Sequence, residues 1–448
     1  MSFNLKEKLN YYRQSLFIRN VATLQMGSFG GTLAQAVFGI LIARLLQPEL
    51  FGIYSLSIGL AALAGLLLGA GMQDAVATLV GSSYVRNDKD ELREVLAFLL
   101  KITFYAGLAT LFIFFFIPPL AGYFYGNSMI GWYAGIVLLG VFISTSFNAL
   151  VQLGLQVAGR IRTLAWLVFG DQFLRSGLAL FFVFIGFGVF GGVSGHLVGA
   201  AVIFVFSALI WKRLIAIYDI FPPFKDLLNY VRRAPVKKYF GFSFWVAVDR
   251  NMGNLYMALP VVLTGIFVSA GEVAFFKLAF GYLNLALSLL GPVSMLLNME
   301  FPKIQIEDPQ KLRSSFIRVS ILGLFISAVL TLGVVIVSPV AFRILYGESF
   351  MPSVSYVFGL AAYGALFGIG VGLGPMWRAV NKVRISIFIN LAVLGAGIPL
   401  GLWLIKNYGL WGSVIMVTLW FTVSHFISFI YLSGKLKDYQ QVTTAQER

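Results

Sequence analysis

Apolar stretches long enough to cross a lipid bilayer follow one another along almost the whole chain of 448 residues. A transmembrane helix needs about 20 mostly apolar residues. The pattern therefore predicts an all-α integral membrane protein with twelve transmembrane helices. The predicted spans are 20–44, 50–73, 95–117, 131–155, 164–188, 190–211, 241–266, 272–297, 315–337, 354–376, 385–405 and 410–432.

The N-terminal residues 1–19 have a different pattern, without the apolar core of a cleavable signal peptide. Leu5, Leu9, Tyr12 and Leu16 recur at helical spacing, and the basic side chains occupy other faces. This pattern predicts an amphipathic segment that lies in the membrane interface.

Lysine and arginine indicate the orientation in the membrane. If the N-terminus is inside, twenty-six of the 33 basic residues lie on inside segments. An excess of basic residues in short loops marks the cytoplasmic side of a membrane protein. Both termini are therefore predicted to be cytoplasmic.

The two halves of the chain resemble each other at an offset of 221 or 222 residues. The matching segments are 47–57 with 269–279, 123–129 with 344–350, 159–162 with 381–384, and 190–193 with 411–414. Six spans in each half give both halves the same direction through the membrane, as in transporters that rock two parallel repeats around a central site. The alternative is a duplicated scaffold that transports nothing.

The repeat divides the chain into two six-helix lobes and three connecting or terminal segments. The predicted divisions are an interfacial segment (1–19), an N-lobe (20–211), a basic cytoplasmic linker (212–240), a C-lobe (241–432) and a cytoplasmic tail (433–448).

Composition narrows the class of protein further. Hydrophobic residues make up 59% of the chain and charged residues 11%, and the mean hydropathy of +0.87 excludes a soluble globular protein. The net charge of +15 would suggest nucleic acid in a soluble chain, but here it belongs mostly to the predicted cytoplasmic segments. Since cysteine is absent, disulfides and thiolate-bound metals are excluded, and with two histidines a multi-histidine metal site is nearly excluded as well.

Several short segments, in their order and spacing, resemble the Wzx-type polysaccharide flippases. That family belongs to the multidrug/oligosaccharidyl-lipid/polysaccharide exporter superfamily, with the multidrug extruders and the lipid II flippase. The segments are ARLLQPELFGIYSLSIGLAAL, RILYGESFMPSVSYV, VDRNMG, FPKI and NYGLWGSV.

The resemblance implies two lobes around a V-shaped central cavity. It also implies transport of a polyprenyl-pyrophosphate-linked oligosaccharide to the outer leaflet by alternating access, driven by an ion gradient or the membrane potential. ATP is not implied, and the sequence has no GxxxxGK[ST] phosphate loop.

Charged residues inside predicted spans are the candidate site residues, because burying a charge in the bilayer is costly unless it faces a cavity or a partner. Arg175 lies near the middle of span 5, with Asp171 one turn earlier on the same face. The pair either neutralises itself within the helix packing or binds the pyrophosphate through Arg175, with Asp171 as its resting partner.

Span 7 is the most polar of the predicted spans. Asp249 and Arg250 lie where the flippase family shows an Asp-Arg pair, and Asn254 shares a face with Arg250. Arg250 and Asn254 are therefore candidate substrate-binding residues. Asp249 is a candidate for binding the coupling H⁺ or Na⁺, and the equally weighted alternative is a counter-ion for Arg250.

Three further charges are weaker candidates. Lys277, five residues into span 8, either binds substrate or extends towards the outer interface. Arg44, at the outer end of span 1, either binds substrate or pairs with Glu49. Asp74 lies at the inner end of span 2. It is either part of a gate or an ordinary charge at a helix end.

The sequence thus predicts a flippase in the inner membrane of a prokaryote, acting in cell-surface polysaccharide export. The expected partners are the lipid-linked oligosaccharide, membrane lipid, H⁺ or Na⁺, and polysaccharide polymerase or assembly proteins. No cofactor, metal, ATP or nucleic acid is expected. An enzyme is not expected, since no segment combines a nucleophile with a base. The alternatives are a multidrug exporter of the same fold and a non-transporting membrane scaffold.

Overall fold

The computed structural model describes residues 16–67 and 72–446, and within these ranges all regular structure is helical. The prediction of an all-α fold is thereby confirmed, while the interfacial segment predicted over 1–19 lies, up to residue 15, outside the described residues. The helices are α1 (Leu16–Leu67), α2 (Met72–Val85), α3 (Lys89–Tyr125), α4 (Ser128–Val157), α5 (Ile161–Phe182), α6 (Gly188–Ile217), α7 (Phe224–Val231), α8 (Val236–Thr264), α9 (Ala270–Leu287), α10 (Gly291–Glu307), α11 (Pro309–Leu345), α12 (Ser353–Gly359), α13 (Ala361–Phe367), α14 (Leu373–Ala379), α15 (Val383–Tyr408) and α16 (Leu410–Gln446).

Eight helical runs within the described ranges are long and apolar enough to cross a membrane, and a ninth counts if α12 to α14, bent by 46°, form one span. Two of the eight runs cover more than one predicted span. Helix α1 contains the span 20–44 and most of 50–73, and the continuous run of α5 and α6 contains 164–188 and 190–211. Helix α8 is outside this set because the charged and amide residues from Asp249 to Asn254 lower its hydropathy. The chain is a multi-pass membrane protein.

The breaks between helices occur at equivalent places in the sequence repeat. Helices α3 and α11 are both 37 residues long, and both end at the repeated Tyr-Gly. Helix α3 ends at the tyrosine of that pair, and α11 ends at the residue before it. The two glycines have positive φ, 65° at Gly126 and 92° at Gly347, a backbone conformation that side chains disfavour. Gly188 (φ 55°) and Gly409 (φ 56°) likewise occupy equivalent breaks before α6 and α16. At Gly188 and Gly409, where ψ matches as well (−140° and −133°), the repeated sequence therefore encodes repeated backbone geometry.

The chain forms two compact units whose limits cross the helices. Unit 1 comprises the residues up to Leu45 and Ala61–Ala247, and unit 2 comprises Leu46–Leu60 and Val248–Arg448. In unit 1, helices α2 through α6 and the connection that follows α6 share one hydrophobic core. Its buried residues include Phe98, Leu150, Trp211, Phe221 and Leu227.

Side chains of α3 hold the basic connection between α6 and α8 in unit 1. The ammonium group of Lys101 donates to the carbonyl oxygens of Arg232 (3.1 Å) and Ala234 (3.0 Å), just after α7. Glu94 accepts hydrogen bonds from Lys238 and from the Tyr239 hydroxyl, both at 2.7 Å. The Lys101 contacts satisfy two carbonyl groups of the turn that follows α7, and the Glu94 contacts hold the start of α8.

An exposed ion pair adds to this attachment. Lys89 pairs with Asp219, and hydrogen bonding to the Lys89 ammonium group keeps the pKa of the Asp219 carboxyl below its usual range. Because the pKa is lowered on folding, this pair stabilises the fold at neutral pH and loses its effect as the pH falls through that pKa.

In unit 2, the kinked part of α1 packs against the start of α9. The kink lies at Gln47 (φ 61°), directly before Pro48. Beyond it, Gly52 meets the backbone of Ala270 so closely that a Cβ atom would overlap the Ala270 carbonyl. The Glu49 carboxylate accepts the backbone N–H of Gly271 at 3.0 Å. Glu49 and Gly271 are equivalent residues of the repeat, so the two copies of this segment contact each other.

Helix α9 begins with a capping box that completes this junction. The Ser269 hydroxyl accepts the N–H of Glu272, and the Glu272 carboxylate accepts the N–H of Ser269. With Glu49 bound to Gly271, three N–H groups at the start of α9 have acceptors.

Candidate functional site

Asp171 and Arg175 form an ion pair within α5 in unit 1, as their spacing predicts. The Arg175 Nε also donates to the Asp171 carbonyl oxygen at 3.4 Å. The side chains are only 25% and 13% exposed, for Arg175 and Asp171 respectively. The second carboxylate oxygen of Asp171, Oδ1, is buried without a hydrogen-bond donor among the described residues. The carboxylate thus has acceptor capacity to spare for a proton, a water molecule or a cation.

Glycines bring neighbouring helices close to this pair. A Cβ atom at Gly199 of α6 would lie 2.6 Å from the Cα atom of Arg175, and one at Gly31 of α1 would lie 2.5 Å from the Gln172 side chain. A Cβ atom at Gly27 would lie 2.7 Å from the Ala165 carbonyl oxygen. These glycines serve close helix packing, which leaves the pair enclosed by α1 and α6.

Unit 2 contains a cavity of about 220 Å³ among α8, the segment from Gly370 to Trp377, α15 and α16. Asp249 is at its wall, one turn from Met252 and Gly253 and two turns from Tyr256 on the same face of α8. The opposite walls contribute polar side chains, namely Ser386, Asn390, Ser424, His425 and Ser428. A carboxylate and several neutral oxygen or nitrogen groups therefore line one small cavity.

The neutral polar groups of this cavity are already ordered by hydrogen bonds. The Ser424 hydroxyl donates to Asn390 Oδ1 at 2.7 Å, and Asn390 Nδ2 donates to the Ser386 carbonyl oxygen at 2.9 Å. The His425 ring lies against Phe421, with ring centroids 5.9 Å apart. The network joins α15 to α16 and leaves oxygen atoms at the cavity wall.

Arg378 is a functional candidate that the sequence prediction missed. Its Nη2 atom lies 3.8 Å from Asp249 Oδ2, and its Nη1 atom donates to Asn298 Oδ1 at 2.8 Å. Arg378 follows span 10, where it counts as one of the cytoplasmic cations that set orientation. Its pairing with a residue 129 positions earlier depends on tertiary structure, which the local sequence pattern does not contain. The sequence did contain a signal for the cavity. Ser386 and Asn390, and likewise Ser424 and Ser428, are four residues apart, so each pair places polar groups on one face of an apolar helix.

Arg250 and Asn254 are exposed on α8 and do not line this cavity. They share a face one turn apart, as their spacing predicts, next to the exposed Gly253 and Met257. The structure therefore separates Asp249, which faces the cavity and Arg378, from the two predicted substrate-binding residues on the same helix.

Lys277 is half-buried on α9, and no described residue forms a hydrogen bond or ion pair with it. A lysine in this position carries an uncompensated charge in a largely apolar setting.

Arg44 is exposed near the kink of α1, five residues before Glu49, whose carboxylate accepts the N–H of Gly271. Asp74 belongs to α2, but its side chain lies outside the part that the structure describes.

The chain resembles known proteins both in sequence and in fold. A family model described as "Polysaccharide biosynthesis protein" matches residues 41–355. Among solved structures, the chain resembles an inward-facing multidrug resistance MATE family transporter of the MOP superfamily, with a TM-score of 0.69 and 17% identity over 94% of this chain and 98% of that one.

Two other solved structures are similar. A eukaryotic MATE transporter has a TM-score of 0.65 at 15% identity, over 95% of this chain and 99% of that one. The lipid II flippase MurJ, in an inward closed conformation, has a TM-score of 0.64 at 15% identity, over 92% and 87% of the two chains. At such identities the likeness is one of fold. No curated protein matches the chain.

Proposed function

The chain belongs to the family of polysaccharide biosynthesis proteins, and from that premise we propose that it is a flippase for a lipid-linked oligosaccharide. Its substrate is a polyprenyl-pyrophosphate-linked oligosaccharide, which moves from the cytoplasmic to the outer leaflet by alternating access. The protein resides in the inner membrane of a prokaryote with both termini in the cytoplasm, where it supplies polysaccharide polymerase or assembly proteins.

The observation that carries this proposal is the presence of cations on membrane helices of a chain from this family. A cation at mid-bilayer costs about 2.5–3.5 kcal/mol on insertion scales, so Arg175, Arg250 and Lys277 on membrane helices call for a functional reason. A pyrophosphate carries at least two negative charges, and its passage through hydrocarbon requires cationic partners. Arginine binds phosphate oxygens through two parallel hydrogen bonds, while lysine acts as a mobile point charge.

We assign the three cations and Asn254 to substrate binding, together with Arg44 near the kink of α1. Several moderate cations suit transport better than one strong site, because the headgroup must leave after it has bound. Asp171 is the partner that Arg175 releases when the pyrophosphate arrives, and the unpaired Oδ1 atom of Asp171 favours such an exchange. Asp74 remains a proposed gate residue.

We assign the coupling ion to Asp249 and the unit 2 cavity. Asp249 lines this cavity together with Ser386, Asn390, Ser424 and Ser428, and oxygen groups of this kind bind Na⁺ or stabilise a transferred proton. Arg378 lies 3.8 Å from Asp249, an ion-pair distance without a direct hydrogen bond, so the coupling ion competes with Arg378 for the carboxylate.

The likeness of fold to MATE transporters favours a second candidate, a multidrug exporter. A cationic drug would need carboxylates free of basic partners, whereas Asp171 and Asp249 both lie beside arginines. The intramembrane charges therefore favour an anionic substrate.

Transport by the purified protein in vesicles distinguishes the two functions. We expect a labelled polyprenyl-pyrophosphate oligosaccharide to cross the bilayer faster than in protein-free vesicles, and a cationic dye to be retained. Dye efflux driven by an ion gradient, without movement of the lipid-linked sugar, would overturn the flippase proposal in favour of the exporter.

A further inference from the structure

Helix α11 has a groove of about 800 Å³ on one face near its N-terminal end. We call it the α11 groove. It is lined by Arg313, Ile317, Arg318, Ile321, Leu322 and Phe325, with Ser314 completing the face. From Ser314 to Phe325 the residues recur at intervals of three or four and so form a continuous stripe along the helix. All of them belong to unit 2.

The stripe is amphiphilic along its length. Ile321, Leu322 and Phe325 are 60%, 55% and 66% exposed, so the far part of the groove is an open apolar surface. The near part holds the two arginines. This is the order of groups in a membrane lipid, whose charged headgroup precedes its hydrocarbon chain.

The two arginines differ in what they already bind. Arg313 donates from Nε to the Ser433 carbonyl oxygen at 3.1 Å, which ties α11 to α16 and fixes the arginine in place. Arg318 is exposed, and no described residue forms a hydrogen bond or an ion pair with it. Lys311, by contrast, is engaged by Asp308 one turn earlier. A guanidinium group without a protein partner beside an apolar groove matches a lipid phosphate.

The length of the groove selects among phosphate-bearing lipids. The eleven steps from Ser314 to Phe325 span about 17 Å of helix, close to the roughly 15 Å thickness of one leaflet's hydrocarbon. A diacyl phospholipid fills this length, whereas a polyprenyl chain extends well beyond it. The charge distribution of the sequence puts this end of α11 on the cytoplasmic side.

We propose that the α11 groove binds one anionic phospholipid of the cytoplasmic leaflet, with its phosphate at Arg318 and Arg313 and an acyl chain along Ile317, Ile321, Leu322 and Phe325. A lipid bound in this way covers the exposed apolar stripe and neutralises Arg318. The site is separate from the proposed transport residues, and its occupancy does not depend on the flippase proposal.

Retention of defined lipids by the purified full-length protein tests this site. The protein is exchanged into detergent with phosphatidylglycerol or phosphatidylcholine, and bound lipid is counted by native mass spectrometry. We expect the wild type to prefer phosphatidylglycerol. Arg318→Gln should bind phosphatidylglycerol about fivefold more weakly, the effect of removing one cation at a membrane surface.

Arg343→Gln is the matched control, because it removes the same charge from the other end of α11, where Arg343 pairs with Glu348 at 2.8 Å. It should bind phosphatidylglycerol as the wild type does. The proposal is overturned if Arg318→Gln keeps the wild-type preference, or if the wild type binds both phospholipids equally. Displacement of phosphatidylglycerol by an equal concentration of undecaprenyl phosphate would overturn it too, since the groove would then belong to the isoprenoid lipid.

Discussion

At the scale of single residues, the charged pair of α5 stabilises the protein only while both partners are present. Arg175 is three-quarters buried beside Asp171, and Gly199 of α6 packs directly against the Arg175 backbone. Removing the carboxylate leaves a cation enclosed without compensation, and removing both partners leaves no charge at all.

We therefore predict that Asp171→Ala lowers the free energy of unfolding by about 2 kcal/mol. The double variant Asp171→Ala/Arg175→Ala should recover part of that loss. Thermal unfolding of the three purified proteins in one detergent measures both effects. Equal stability of Asp171→Ala and the wild type would show that the pair contributes nothing to the fold.

The assignment of Asp249 to ion coupling gives a second residue-scale prediction. Asp249→Asn keeps the shape of the side chain but removes the charge that holds a proton or a sodium ion. We expect its transport to become independent of the imposed ion gradient, with substrate binding retained. Arg378→Gln should keep the dependence and alter only its midpoint. A gradient response in Asp249→Asn equal to that of the wild type rules out this residue as the coupling site.

How far these residues follow from sequence depends on the distance between partners. The Asp171–Arg175 pair is one turn apart on one helix and was predictable from spacing alone. The contact of Asp249 with Arg378 joins α8 to α14. From the sequence, Arg378 was only one of the basic residues that indicate the orientation of the protein in the membrane. Lys277 was identified by its cost in the membrane, but its lack of a described partner required the structure.

At the scale of helices, the apolar pattern located helical structure within each predicted span over the described residues, although it missed where helices join or break. The chain continues as helix through the predicted gap after residue 44 and bends at Gln47, because Pro48 removes one backbone donor but fits the first turn of the next segment. The spans 164–188 and 190–211 are likewise joined, through a π-helical turn at Val183–Phe187. Hydropathy does not distinguish a kink from a loop.

The contact between the repeated segments gives a prediction at this scale. Gly52→Ala introduces a Cβ atom into the space held by the Ala270 carbonyl, so we expect a lower thermal midpoint, with a loss of about 2 kcal/mol. Gly39→Ala is the matched control on the same helix, since nothing lies within 4 Å of its added Cβ atom. That change should be neutral or stabilising by up to about 1 kcal/mol. Equal effects of the two substitutions would contradict the close contact at Gly52.

At the scale of the whole molecule, the sequence repeat predicted backbone features at equivalent positions, which the composition could not do. Gly188 and Gly409 have matching backbone conformations at matching offsets, and Gly126 and Gly347 share a positive φ. The division into compact units does not coincide with the repeat, because residues 46–60 pack with the second unit. This exchange depends on tertiary contacts such as Glu49 with Gly271, which repeat alignment places at equivalent positions without showing that they touch.

The central claim is that cations on membrane helices carry an anionic headgroup across the bilayer. Its most direct test is the rate at which vesicles containing the wild type, Arg175→Ala, Arg250→Ala or Lys406→Ala translocate a labelled polyprenyl-pyrophosphate oligosaccharide, at equal amounts of folded protein. Lys406, exposed near the end of α15, is the control for loss of one charge. We predict that Arg175→Ala and Arg250→Ala each slow translocation about tenfold or more, and that Lys406→Ala does not. Wild-type rates for both arginine variants would contradict the account.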